Sequence, residues 1–374
     1  MLDVWIDEQA LAPGLTDPVR LTEWMLNSLC LIRRRSSKEE ESVTSTPIGK
    51  MMLEFALSRP NEGLDPREML DTLGVSTTTL HHLLGRLRSA RIVTQAGGSE
   101  QGHRFHRLRF GHLPTAVLAM AEEARMVLRH NLLTLFGEWK REGREVNLSA
   151  MEPQRLHIRI RDPSPTGVRL QGEVVIKDLG LSGERPGKDG RAEREILQIL
   201  ERMMVSDIPV TIEECMELTG RSRARVNLQL VRLQRSGMVC RAPLWERLTQ
   251  CLIDAINRQR RRRGDEWVVD KRRLGRLGEE KARHLLEQLD ASTENTDMIE
   301  GAMTQGGPEE GRILLNVLGG QIPDGYSLAG KNAGEVADRA LHMLDLFIAR
   351  LGRAAERITL GLQKVAPKDD LERS

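Results

Sequence analysis

Aromatic side chains are scarce in this sequence. They make up 3% of 374 residues, with a single Tyr. That scarcity weighs against large β-sandwiches and against proteins that stack single-stranded bases on aromatic platforms. Cysteine is sparse as well. Cys30, Cys215, Cys240 and Cys251 are scattered with no C-x-x-C pair, so zinc-finger spacing is absent and a disulfide framework is not expected. No apolar run approaches the roughly 18 residues that cross a bilayer. Asp3, Asp7 and Glu8 stand where a signal peptide would be basic. These absences predict a soluble, cytoplasmic chain with no membrane contact. G-x-S-x-G, H-E-x-x-H and a persuasive nucleophile–base pair are missing too, so neither catalysis nor a cofactor or metal is expected.

What is present is uneven charge on an ample hydrophobic fraction. Hydrophobic residues are 39% of the chain, enough to build cores, and the length suits two or three domains. Net charge is only +2, yet residues 221–263 hold twelve Arg against Glu246 and Asp254. Residues 287–310 hold seven acids and no Lys or Arg. A polyanion responds to the local patch rather than to the total, although the two regions could equally neutralise each other.

The patterning predicts a mainly α fold with small β elements. It divides into an N-terminal helical segment and linker (1–46), a first helix-turn-helix unit (47–112), a long connecting or dimerisation helix (113–145), a small β-element and linker (146–190), a second helix-turn-helix with a basic helix (191–264) and a C-terminal helical domain (265–374). In 155–178, "RLHIRIRD" and "GVRLQGEVVIKD" alternate around "PSPTG" and predict a β-hairpin or small sheet.

Residues 65–93, "DPREMLDTLGVSTTTLHHLLGRLRSARIV", carry the sharpest signal. Asp65, Pro66 and Glu68 start a short helix as a capping box, Gly74 permits a tight turn, and Ser76 caps a second helix with Leu80, Leu83, Leu84 and Leu87 inward. "ARIVTQAGGSEQGHRFHRLRF" (90–110) then has the layout of a wing. The stretch "LGVSTTTLHHLLGRLRSARIV" resembles the winged-helix regulators of bacteria and archaea, especially the ArsR-like and MarR-like families. That resemblance covers roughly residues 47–112 and implies a fold that binds DNA or, in some members, protein. On the second helix Ser76, Thr77, Thr78, His81 and His82 suit base edges or phosphates, with Arg86 and Arg88 at its end. Wing residues Arg104, Arg107 and Arg109 add positive charge. His103, His106 and His112 read as phosphate or solvent contacts, lacking the Cys or carboxylate partners of a metal site.

A shift of 146 residues brings a second copy into register. "VTIEECMELTGRSRARVNLQLVRLQRSGMV" (210–239) matches the caps, the turn Gly and the inward face of the first. Its outward positions include Ala224, Leu228 and Val231, so this helix is apolar on two sides and is expected to be partly covered by another domain, subunit or protein partner. Arg221, Arg223, Arg225 and Asn227 remain as DNA contacts, as do Arg260, Arg261, Arg262 and Arg263, which also suit a helix C-terminus.

"GYSLAGKN" (325–332) matches G-x-x-x-x-G-K, but Asn332 replaces the Mg²⁺-binding hydroxyl and no strand is evident before it. It reads as a loop and helix start rather than a nucleotide site. The long helices at 114–142 and 332–364 suit either the pairing of two chains as a homodimer, the favoured reading because so many apolar positions must be covered, or the core of a single chain. Together these features predict a nucleoid-associated, double-stranded DNA-binding protein acting as a transcriptional regulator. The competing expectations are a chromosome-organising assembly protein and a tandem winged-helix replication initiator.

Overall fold

A computed structural model of the chain describes residues 1–32, 43–98, 104–141, 155–167, 169–183, 189–291 and 307–365. Helix dominates, and the strands among these residues form only two-stranded sheets. The chain divides into two compact units. One contains 1–205, 215–240 and 328–374, and the other 206–214 and 241–327.

The first unit opens with β1 (Asp3–Asp7) and α1 (Pro18–Ser28), whose first N–H groups are taken by the Asp17 carboxylate. A short α2 (Pro47–Lys50) runs on as a wider π-helical turn, Met51–Ala56. Then come α3 (Pro66–Leu73) and α4 (Thr77–Ser89). Asp65 accepts the Arg67 N–H at 2.8 Å, and Gly74 takes the left-handed conformation (φ 61°) that ends α3. Glu68 departs from the expected capping box: it pairs with Arg59 at 2.9 Å instead. Ser76 caps α4 by accepting the Thr79 N–H at 3.2 Å. Leu80, Leu84 and Leu87 are buried beneath it, while Leu83 is half-buried. β2 (Val93–Gly98) and β3 (Arg104–Leu108) pair antiparallel, and the chain enters α5 (Leu113–Phe136).

The pattern then repeats. β4 (His157–Arg161), α6 (Gln171–Asp178), α7 (Arg191–Val205), α8 (Ile212–Thr219), α9 (Arg223–Arg235) and β5 (Val239–Pro243) follow in the order of the first copy. The 146-residue shift carries Pro66–Leu73 onto Ile212–Thr219 and Thr77–Ser89 onto Arg223–Arg235, residue for residue. Backbone conformation repeats as well. Gly74 and Gly220 are both left-handed (φ 61° and 63°), as are Arg91 and Gly237 (φ 60° and 83°).

The second copy's hairpin is interrupted. β5 pairs with β6 (Asp324–Leu328), not with a strand directly following it. Leu64 bridges His106 in the first copy, and Val210 bridges Tyr326 in the second. Between β5 and β6 lie α10 (Leu248–Arg263), α11 (Asp265–Val269), α12 (Glu279–Ala291) and α13 (Gly307–Val317). They enclose their own core, with Leu252, Ile256, Val268, Leu286 and Leu315 buried in it. A shift of 220 residues then carries His106 onto Tyr326 and the start of α5, Leu113, onto Ala333, the start of α14 (Ala333–Val365). The segment expected as one C-terminal helical domain, 265–374, is therefore divided. Its first part is inserted in a hairpin of the second unit, and α14 belongs to the first unit.

One expectation needs correction. "RLHIRIRD" holds a strand, but its partner is β1, where no strand is expected from the sequence, and "QGEVVIKD" is the helix α6. The alternation there is short, and packing of Val174 to Ile176 in α6 against α5 and α7 overrides it. Of the two roles open to the long helices, the one-chain core is observed: α5 and α14 pack on each other, burying Val117, Met120, Ala124 and Leu128 along α5 and Ala337, Ala340, Leu344 and Ile348 along α14. Their apolar stripes no longer argue for a homodimer.

Candidate nucleic-acid interface

The first two turns of α4 face outward. Ser76, Thr77, Thr78, His81 and His82 are all exposed, held from beneath by the three buried leucines and by the Ser76 cap. One side of the same helix also borders a groove. His81, His82, Gly85, Arg86 and Ser89 line one wall of an open groove of about 760 Å³, whose other wall is β1 and the chain after α1. Arg86 donates to the Cys30 carbonyl across this groove. Arg88 donates to Gln95 Oε1 at 3.1 Å. These two expected phosphate contacts are engaged inside the fold.

In the hairpin, Arg107 is exposed and Arg109 is bound to Glu123 on α5 at 2.6 Å. The backbone of Arg104 begins β3. His103 lies outside the described residues. His112 is exposed, its Nδ1 within 2.8 Å of Thr115 Oγ1. His106 corrects the expectation of a phosphate contact. It is 5% exposed, and burial, reinforced by the neighbouring Arg88 and His81, pushes its imidazole down to about 4. It is a neutral core residue at pH 7.

On α9, Arg223, Ala224, Asn227 and Leu228 are exposed, Arg225 and Val231 half-buried. Leu228 is 42% exposed, so the expected cover over this face is at most partial among the described residues. Arg221 is turned inward, donating to the buried Glu195 on α7 at 2.7 Å, and Gln229 donates to the same carboxylate at 3.1 Å. Arg235 reaches Asp7 of β1 at 2.7 Å. His157 hydrogen-bonds the same carboxylate and, with Arg235, holds it down at about 2. The β1–β4 pair thus packs against the end of α9 and stands across the groove from α4. No sequence signal pointed to this, because β1, β4 and α9 are far apart along the chain.

The second unit has a separate basic ridge. Arg258, Arg261, Arg262 and Arg263 at the end of α10 are exposed, as are Lys271, Arg272 and Arg276 beyond it. Arg260 is tied to Asp265 at 2.9 Å. Arg263 and Arg273 both stand over the Trp267 ring, at 4.5 and 3.5 Å from its centroid. Most of the acidic stretch 287–310 lies outside the described residues.

The G-x-x-x-x-G-K segment is not built as a phosphate loop. Residues 324–328 are strand, and the N-terminus of α14 is already occupied. Glu335 accepts from the Lys331 N–H (2.8 Å) while Asn332 Oδ1 accepts from the Glu335 N–H (2.9 Å). No group of His, Cys, Asp and Glu among the described residues is placed to hold a metal ion. Burial pushes the Cys240 thiol up to about 11, so it stays protonated at neutral pH. No helix of the described residues is long and apolar enough to cross a membrane. No family model, curated protein or solved structure matches the chain.

Proposed function

We propose that the chain is a double-stranded DNA-binding protein built on two winged helix-turn-helix units, acting as a transcriptional regulator, with α4 as its principal reading head. The observation that carries this reading is the N-terminal half of α4. A run of small hydroxyls and two imidazoles is exposed on a helix rigidly capped and anchored from behind, beside a two-stranded hairpin. The N-terminal residues of such a helix are the ones that reach base edges in the major groove. Arg107 on the hairpin and the separate ridge at Arg261 to Arg263 supply charge for phosphates.

Titration with random duplex DNA at rising salt tests it. The expected result is a steep linear fall of log affinity with log salt, and no binding or a flat response overturns the reading. In selected duplexes, Thr78→Ala and His81→Ala are expected to relax base preference at a cost of about 1–3 kcal/mol each. Arg107→Ala should weaken all sequences alike and lower the salt slope by about 1. If Thr78 and His81 variants keep the preference while Asn227 and Arg223 variants abolish it, α9 is the principal head instead. A second reading, docking of a protein partner, is favoured by Leu218 and Leu228 of the second copy, both 42% exposed.

A further inference from the structure

The two copies pack on each other in the way two subunits do about a dyad, although they belong to one chain. In an isologous contact, residue i meets j′ and residue j meets i′, and residues at the axis meet their own counterparts. β1 and β4 hold the same place in the two copies, share one burial pattern, and pair antiparallel with Trp5 opposite Arg159. Asp3 and Asp7 correspond to His157 and Arg161, and the observed pairs Asp3↔Arg161 and Asp7↔His157 exchange into each other. The helices that follow stop alike. The Leu31 N–H donates to Leu26 and the Leu181 N–H to Ile176, across left-handed Cys30 and Gly180.

The long helices obey the same rule. Arg125 of α5 is bonded to Asp345 of α14 at 2.6 Å, and the 220-residue shift makes these two the same position. Arg129 pairs with Asp338 at 2.7 Å, so the helices run antiparallel through that point. α1 packs on α14, and reciprocally α6 packs on α5. In a dimer of identical chains, position 125 would meet its own copy as Arg against Arg or Asp against Asp, a repulsive contact. Here the copies carry opposite charges. The dyad surface is thus matched by these two unlike halves, and it is consumed within the chain.

We infer that one chain is a complete two-headed reader, engaging a single duplex at two unlike half-sites in inverted orientation, α4 on one and α9 on the other. This rests on the proposed DNA reading of α4. The dyad places Arg223, Ala224, Asn227 and Leu228 of α9 where α4 has Thr77, Thr78, His81 and His82, all of them exposed. Their chemistry differs. Arg and Asn suit guanine and adenine edges, and the apolar pair suits thymine methyls, so the second half-site has a different sequence from the first.

The test uses the full chain and a duplex selected from a random pool. Light scattering is expected to give the mass of one 42.2 kDa chain when free and one chain per duplex when bound. Footprinting is expected to protect two unlike, inverted halves. The pair Thr78→Ala and His81→Ala should weaken one half about ten-fold or more, and Asn227→Ala with Arg223→Ala the other. Two chains per duplex with a symmetric footprint overturn the inference and leave the DNA reading standing. So does a second half indifferent to the α9 variants, which marks that face as protein-facing. A single-chain mass with no duplex binding at low salt defeats the DNA reading itself, and the half-site assignment with it.

Discussion

His106 shows how burial redirects a residue that sequence suggests is functional. Its Nδ1 is buried without a partner, and its folded pKa of about 4 lies below the ordinary 6.5. The unfolded chain binds that proton first, so the stability tied to a neutral His106 is complete above pH 6.5 and is lost as pH falls toward 4. Its size is on the order of 3 kcal/mol, from about 1.4 kcal/mol per unit. His106→Leu should flatten the fall in urea-unfolding stability between pH 7 and pH 5. An unchanged slope would assign the acid sensitivity elsewhere. Asp7 acts in a lower window. Its carboxylate, hydrogen-bonded by His157 and Arg235, contributes above pH 3.8 and loses that contribution as pH falls toward 2. The two residues can be separated by pH alone.

At the scale of elements, α4 and α9 share a scaffold and differ in what holds their outer faces. Helix limits and the turn between α3 and α4 were legible in the sequence because their causes are local: a cap at Asp65 or Ser76, a left-handed Gly74, and leucines at helical spacing. The role of Arg221 was not, because its partner Glu195 lies on another helix. Glu195 is 4% exposed and serves both Arg221 and Gln229. Glu195→Ala leaves a buried amide and a guanidinium without their acceptor, and a loss of about 3 kcal/mol is expected in thermal or denaturant unfolding. Ser76→Ala, by contrast, removes one helix cap and should cost about 1 kcal/mol while also loosening the start of the proposed reading surface. A loss below a few tenths of a kcal/mol would mean that the cap is not what anchors α4.

For the molecule as a whole, the decisive feature is the insertion in the second hairpin. Leu244 N–H donates to the Pro323 carbonyl at 3.0 Å, so the chain leaves and re-enters the hairpin at adjacent points. The inserted helices have their own core. Replacing residues 244–323 with a turn the length of the 99–103 connection should leave the first unit folded, read as a retained cooperative melt and helical circular dichroism. If the protein collapses, the insertion is part of the fold's foundation. The same excision removes the ridge at Arg261 to Arg263, so salt dependence of duplex binding should fall while base preference at the α4 half is kept.

By itself the sequence determined the mainly helical class, the duplicated pair of short helices and the left-handed glycine turns between them, because each depends on residues within a few positions of one another. Only the tertiary structure decided the rest. It made a strand of residues 3–7 and a helix of 171–178, buried His106, drew Arg86, Arg109 and Arg221 inward, and set α5 against α14 within one chain. Those outcomes depend on contacts between residues far apart in sequence, some within one copy, as at Arg221 and Glu195, and some where the copies meet across the duplication. The charges at the centre of that meeting, Arg125 and Asp345, are 220 residues apart.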